Sequence, residues 1–161
     1  MTLSLLALLA LTACGGRTGS GGTGADDGGG SPGTGAPLTG TVWKVTGLLS
    51  GETPRARALP TGSEGRADLT FGEDGTVHGS LGCNTFRGEA TIAGTTVTLG
   101  PLATTRKLCP GPRTELERAL TAVLRGELSY AVEDRGLSLT ARGGAGVRAT
   151  AVDGDGTPAP E

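Results

Sequence analysis

The sequence predicts a β-rich α+β fold, either an antiparallel meander or a partly closed barrel of about eight strands with one helix. Three observations predict it. From residue 38 to residue 152, apolar residues mostly recur at every second position, which is typical of half-buried strands. One stretch instead repeats its apolar residues at helical spacing. Glycine, at 31 of 161 residues, supplies turn sequences between the runs.

Five strands are predicted before the helix, because five short runs alternate inward and outward residues. A Gly-Glu-Asp-Gly turn at positions 72–75 separates the second strand from the third, and Gly94 marks the turn between the fourth and fifth. The residues assigned to the inner face are Trp43, Val45 and Gly47, then Ala67, Leu69 and Phe71, then Val77, Gly79 and Leu81, then Ala90 and Ile92, and then Val97 and Leu99.

The helix is predicted after the Pro-Gly-Pro break at positions 110–112. Thr114, followed three residues later by Glu117, fits a capping box at its start, and Gly126 fits a stop at its end. The apolar stripe consists of Leu116, Leu120, Val123 and Leu124.

Three more strands are predicted after the helix, because the alternation with period two resumes there. A Glu-Asp-Arg-Gly turn at 133–136 and a Gly-rich turn at 143–146 separate them. Their inner residues are Leu128, Tyr130 and Val132, then Leu137, Leu139 and Ala141, and then Val147 and Ala149.

The segment that precedes the domain of residues 38–152 predicts attachment to a membrane. Residues 3–11 form an apolar run that is too short to cross a bilayer core, which needs about twenty residues, and it is typical of a signal peptide. The run ends in Leu-Thr-Ala-Cys at positions 11–14, which resembles the bacterial lipobox. We therefore expect residues 1–13 to be a lipoprotein signal peptide and Cys14 to be lipidated.

Two further segments are too poor in apolar residues to fold. Residues 14–37 consist of the lipidated cysteine and a Gly-rich sequence, and we expect them to form a flexible tether. Residues 153–161 are expected to be a disordered tail. The sequence thus predicts a protein of the cell envelope, anchored through lipid on the extracytoplasmic side.

Composition excludes several classes of function. The net charge of −2 gives no basic footprint for a nucleic acid, and the four aromatic residues give no stacking platform for bases. No pair of closely spaced cysteines or histidines suggests zinc, and no glycine-rich loop precedes a helix as a nucleotide cradle would. We expect no metal, no cofactor and no catalytic residue, and so no enzyme.

The three cysteines indicate a disulfide. Lipidation of Cys14 leaves Cys83 and Cys109 as an even pair in an oxidising compartment, so we expect them to be joined. Two unpaired buried thiols are the alternative. A Cys–His nucleophile would need His78, the only histidine, but strand parity points it away from the face of Cys83.

Two stretches around these cysteines carry a family resemblance. Gly-Cys-Asn at 82–84 with Gly88, and Leu-Ala-Thr-Thr-Arg-Lys-Leu-Cys at 102–109, together with Trp43, Glu117 and the Leu-Ser-Leu sequence at 137–139, resemble the META domain of the HslJ heat-shock lipoprotein family. The resemblance covers residues 38–152. It implies a small antiparallel β-rich fold with one helix, a link to envelope stress, and no established catalytic activity.

Asn84, Thr105 and Arg106 are the polar residues of most interest in these stretches. We expect them to form a hydrogen-bonded corner that joins the two loops beside the disulfide, with a role in binding as the alternative. Two functions follow. The first is a non-enzymatic, membrane-anchored envelope lipoprotein that supports stress tolerance. The second is an extracytoplasmic binding module for a peptide, a partner protein or a small apolar ligand.

Overall fold

The protein is described here by a computed structural model of residues 35–51 and 55–152. The predicted signal peptide, Cys14, nearly all of the predicted tether and the predicted tail lie outside these residues. The described strands are β1 (Val42–Ser50), β2 (Arg55–Arg57), β3 (Ala67–Phe71), β4 (Thr76–Leu81), β5 (Thr85–Ala93), β6 (Thr96–Leu99), β7 (Ala103–Thr104), β8 (Gly126–Glu133), β9 (Gly136–Thr140) and β10 (Gly146–Val152), and the described helix is α1 (Pro112–Val123).

Eight of the described strands close into an antiparallel barrel in the order β1, β3, β4, β5, β6, β8, β9, β10. β10 pairs back onto β1, from Val42 opposite Val152 to Leu49 opposite Gly146. The predicted β-rich α+β class is therefore confirmed, and closure is complete rather than partial. The barrel strands are the five predicted before the helix and the three predicted after it.

The two short strands β2 and β7 lie outside the barrel and were not predicted. β2 extends the edge of β1 beyond β3, and β7 pairs with the beginning of β5. Runs of three and two residues are too short to display an alternating pattern, so the sequence carries no periodic signal for them.

Side chains fill the interior of the barrel. The strand positions that face inward are almost all buried, in agreement with the predicted parity. Ile92 is an exception and is 36% exposed, because it lies next to the Gly94 turn at the rim of the barrel. The largest fully buried side chains are Trp43, Phe71, Leu69, Leu81, Leu116, Leu120, Leu128, Leu137 and Leu139.

Helix α1 covers one end of the barrel with its apolar stripe. Leu116 and Leu120 are fully buried, and Leu116 packs so closely over Gly82 that a Cβ atom there would lie 3.0 Å from the Leu116 Cδ2 atom. The predicted capping box at the start of α1 is wrong. The helix begins at Pro112 after Gly111, without a side-chain cap, and the Thr114 hydroxyl donates instead to the Cys109 carbonyl.

The described chain begins and ends at the other end of the barrel. Ala36 N–H donates to the Asp134 carbonyl in the β8–β9 turn (2.7 Å), and Val152 pairs with Val42. Strand register places this end away from α1, because Leu81 of β4 lies beside Ala67 at the opposite end of β3 from Phe71. Among the described residues, no helix has the length and apolar character needed to span a bilayer.

Candidate functional site: a groove beside the disulfide

A disulfide fixes the segment that leads into α1. Cys83, in the loop between β4 and β5, is joined to Cys109 with an S–S distance of 2.05 Å and a Cα–Cα distance of 5.9 Å. The predicted pairing is thus present, and both thiols are taken up in it. The bridge links the end of the barrel near Leu81 to the chain that begins the helix.

Asn84 is the centre of a hydrogen-bonded network next to the disulfide. Asn84 is buried, and both the nitrogen and the oxygen of its amide are hydrogen-bonded within the protein. The Nδ2 group donates to the Lys107 carbonyl (3.2 Å) and to both carboxylate oxygens of Glu117 (3.0 and 2.9 Å). The Oδ1 atom accepts from the Thr105 hydroxyl (2.8 Å) and from the Lys107 N–H (2.6 Å). One buried amide therefore joins the loop after β4, the 105–107 segment and α1.

The structure brings together two of the three residues predicted to form the corner. Thr105 bonds to Asn84 and also accepts from the Thr85 N–H (3.2 Å). Arg106 is exposed and has no hydrogen-bond or ion-pair partner in the part of the chain that the structure describes. Adjacent residues of an extended segment point in opposite directions, so Thr105 faces the network while Arg106 faces solvent.

Glu117 belongs to this network, whereas the sequence predicts it to be part of a helix cap. Its spacing from Thr114 suggested a helix cap, whereas its carboxylate accepts both bonds from Asn84. A usable signal was present, because Glu117 follows Leu116 and precedes Leu120 by three residues, which places it at the edge of the buried stripe. A carboxylate at such a position contacts the barrel more readily than it contacts its own helix start.

A groove of about 810 Å³ lies between α1 and the 107–110 segment, outside the barrel. Its volume is within the range of small-molecule and peptide sites, about 300–1,000 Å³. The helix contributes positions 118, 121 and 122, whose spacing of three and four residues places them on one face, and Arg125 follows the end of the helix. The residues that matter most for its chemistry are Lys107, Leu108, Pro110, Arg118, Ala122 and Arg125.

Leu108 projects from the rim of this groove and is fully exposed. The backbone on either side of it is held in place. Both the N–H and the carbonyl of Lys107 bond to the Asn84 amide, and Cys109 is in the disulfide. The exposed position of the leucine is therefore fixed by the network and the disulfide.

The groove is electropositive although the whole chain carries a net charge of −2. Lys107, Arg118 and Arg125 line it. The negative group at its floor, the carboxylate of Glu117, accepts both of its bonds from Asn84. Lys44 pairs with Asp68 and Arg142 pairs with Glu127, both away from the groove. Within residues 35–51 and 55–152, none of the three groove cations has an ion-pair partner.

Other polar residues singled out by the sequence are placed on the barrel surface. His78 is exposed on β4, and within the described residues no cluster of three or more potential metal ligands occurs. The Asp74 carboxylate accepts from the Thr76 hydroxyl (2.6 Å) and N–H (3.1 Å), and these bonds hold the pKa of Asp74 below its usual value. Its position is that of a turn residue, as predicted.

Comparisons with known proteins found similar solved structures and one matching family. The chain is similar to a protein from Burkholderia xenovorans solved by NMR, with 21% identity and a TM-score of 0.57 over 80% of this chain and 97% of that one. A second protein solved by NMR is 20% identical, with a TM-score of 0.52 over 70% and 91% of the two chains. A crystal structure of a lipocalin-like protein from Bacteroides uniformis is 13% identical, with a TM-score of 0.45 over 70% and 97%. No curated protein matches the chain. The model of the META domain matches residues 36–153, and the chain therefore belongs to the META domain family.

Proposed function

We propose that this META domain is a non-enzymatic binding module, tethered through a lipidated Cys14 to the extracytoplasmic side of a bacterial membrane, and that the groove beside the disulfide is its binding surface. One observation carries the proposal. An open groove of about 810 Å³ is bordered by a leucine that is fully exposed and held there by the fold. A groove of this size that combines apolar surface with a few charged groups is typical of a binding site.

The filled interior of the barrel supports an exterior site. Trp43 and Phe71 are fully buried inside it, together with leucines from both halves of the chain. A ligand inside would have to displace these side chains, whose packing supplies the main favourable term in folding. The surface of the molecule is therefore where binding is expected.

The state of the polar groups favours binding over catalysis. Cys83 is in a disulfide, so its sulfur is not a thiolate, and the Asn84 amide is fully engaged by the protein. His78 lies on β4 and does not line the groove. The groove therefore offers charge and apolar surface, without a paired nucleophile and base.

The positions at which the described chain begins and ends are compatible with tethering. The described residues begin and end at the end of the barrel opposite α1. A tether that continues from Gly35 to a lipidated Cys14 would therefore join the domain at the end of the barrel opposite the groove. A binding surface in that position is accessible to envelope proteins.

The link to envelope stress is the physiological role that we attach to this binding. Its support is membership of the META family, which the sequence resemblance connects with heat-shock lipoproteins. In a deletion strain of the native host, wild-type protein should restore growth after heat or detergent stress, and Cys14→Ser should not. Equal rescue by both would argue against a role that depends on the anchor.

A photocrosslinking experiment in the native host tests the binding function. A benzophenone amino acid at Ala122, which is exposed in the groove, should give discrete adducts, and the same group at Ile92, which is exposed on the far rim, should not. Leu108→Ser should abolish the Ala122 adducts. If both sites crosslink alike, the groove is not a binding surface.

The intact mass of protein from host membranes, with and without reduction, tests the acyl group on Cys14 and the disulfide together.

A further inference from the structure

We infer that the groove binds an acidic segment of a partner protein that carries a large apolar side chain next to its carboxylates. The inference rests on the proposed function and specifies its ligand. Two independent features of the groove carry it, namely a leucine that the fold holds in solvent and three cations that the described protein leaves without ion-pair partners.

The apolar part of the partner is specified by Leu108. A single exposed leucine on a protein surface is ordinary. This leucine differs because the chain before it is bound to Asn84 and the residue after it is in the disulfide. Its backbone is ordered before any partner arrives, so binding incurs little additional loss of conformational entropy. Pro110 and Ala122 add apolar surface beside it, which suits a complementary aliphatic or aromatic side chain.

The charge of the partner is specified by Lys107, Arg118 and Arg125. They come from the loop on one side of the groove and from the helix region on the other, so a bound segment would meet a cation on both sides. Glu117 does not cancel them fully, because it is one carboxylate against three cations and already accepts bonds from Asn84. A partner with carboxylates at both flanks would pair with these cations and associate faster at low salt.

The position of the groove favours a protein segment over other acidic partners. A membrane surface is flat, whereas these cations border a concave groove. The acidic residues of this chain at 153–161 follow Val152 at the opposite end of the barrel. Asp153 and Asp155 follow Val152 by one and three residues, a reach of at most about 11 Å, so only Glu161 could span the strand length of roughly 20 Å to the groove. Both alternatives are outcomes of the experiment below.

The experiment selects a random 12-residue peptide library, displayed on phage, against the full chain purified from host membranes. Peptides that still bind the Leu108→Ser variant are removed. The inference expects the remaining sequences to be enriched in Asp or Glu beside a large apolar residue. A representative peptide should also bind about 10- to 100-fold more weakly to Arg118→Glu, a loss that the selection does not impose, because this change reverses a charge that the peptide carboxylates contact.

Matched variants provide the controls. Ile92→Ser removes an exposed apolar side chain from the far rim, and Arg148→Glu reverses an exposed charge on β10. Both should bind the peptide as the wild type does. Affinity for the wild type should fall as NaCl is raised from about 50 to 500 mM, because the cations are accessible to salt.

Each other outcome overturns the inference in a distinguishable way. Peptides that depend on Leu108 but show no excess of acidic residues would refute the acidic partner and leave the groove as a binding surface. No peptide that depends on Leu108, together with no Ala122 crosslink in cells, would refute the proposed function as well. Binding to vesicles of phosphatidylglycerol and phosphatidylethanolamine that is lost in Leu108→Ser, without peptide binding, would identify a membrane contact instead. A tenfold gain in peptide affinity after deletion of residues 153–161 would identify the tail of this chain as the occupant.

Discussion

The buried Asn84 amide allows a sharp test, because an isosteric substitution reverses the hydrogen-bonding character of one end of the side chain. In Asn84→Asp, the oxygen that accepts from Thr105 and Lys107 is kept. The nitrogen that donates to Glu117 at 2.9 and 3.0 Å is replaced by a carboxylate oxygen. The variant therefore keeps the shape of the network and places two carboxylates in direct contact.

The size of the effect follows from these distances. Two unit charges about 3 to 4 Å apart repel by about 4 to 6 kcal/mol at an effective dielectric constant of about 20. The loss of folding free energy at pH 7 is limited to about 4 kcal/mol, because one carboxyl can take up a proton instead. Protonation nearly three pH units above the usual pKa costs about 1.4 kcal/mol for each unit. The lost bond to the Lys107 carbonyl adds about 1 kcal/mol. We expect the free energy of unfolding to fall by about 4 to 5 kcal/mol.

The pH dependence has a definite sign. In the folded variant the carboxyl pair binds a proton that the unfolded chain does not hold between about pH 4 and pH 7, so stability relative to the wild type rises as pH falls. Below about pH 5 the protonated carboxyl can donate to Glu117 as the amide did, and the deficit should shrink to about 1 kcal/mol. Urea denaturation at pH 7 and pH 4.5, with the disulfide intact, measures both values.

A double variant provides the control. Glu117→Gln restores a donor opposite the new carboxylate, so Asn84→Asp/Glu117→Gln should recover at least about 2 kcal/mol at pH 7. Two results would refute this account of the network. The first is a loss below about 1 kcal/mol for Asn84→Asp at pH 7. The second is a double variant that is as unstable as the sum of the single ones.

Three further predictions concern the disulfide, a strand glycine and a turn. Replacing Cys83 and Cys109 by alanine should lower the unfolding free energy by about 3.5 kcal/mol and the Tm by about 10 to 15 °C in calorimetry, because the bridge closes a loop between residues 26 positions apart. Gly79→Ala should cost about 2 to 4 kcal/mol in urea, because a Cβ atom there would overlap backbone of the neighbouring strand. The Asp74 carboxyl should titrate below its usual pKa in NMR, because Thr76 hydrogen-bonds to its charged form, and Asp74→Asn should remove the stability that is lost as pH falls through that low value.

Each of these predictions has a matched control or a contrary result. A Tm shift below about 3 °C in the cysteine variant would show that the denatured chain is not restricted by the bridge. Gly94→Ala, at a positive φ of 57° but with open space around the Cβ position, should cost only about 1 kcal/mol. Thr76→Val should raise the midpoint of the Asp74 titration, and an unchanged midpoint would rule out the hydroxyl as a cause.

The barrel was predictable because burial is imposed at every second residue of a strand that faces a filled interior. Trp43 and Val45 on β1, and Val147 and Ala149 on β10, alternate with outward residues and are buried. The contact between these two strands was not predictable. Closure depends on register between positions about a hundred residues apart, and alternation along one strand contains no information about which strand lies beside it.

Within the site, only the disulfide and the polar contact beside it were predictable. The pairing of Cys83 with Cys109 was predicted from the count of cysteines and an expected oxidising compartment, and the proximity of Asn84 and Thr105 was expected from their places beside that bridge. The role of Glu117 was missed, because a local helix signal competed with a contact between residues 33 positions apart. Nothing in the local pattern distinguishes the exposed Leu108 from leucines that are buried.

The exposure of Leu108 is a consequence of the same contacts that hold the fold together. A leucine left in solvent forgoes about 1.5 to 3 kcal/mol of burial, and a loop free to move would turn it toward Pro110 or the barrel. The Asn84 bonds to both backbone groups of Lys107, and the disulfide at Cys109, oppose that movement. These contacts stabilise the folded domain whether or not Leu108 is apolar, so they explain how the leucine is held but not why the position carries one. The fold holds the backbone at position 108 but does not require an apolar side chain there. The leucine is therefore the strongest reason to place the binding surface at this groove.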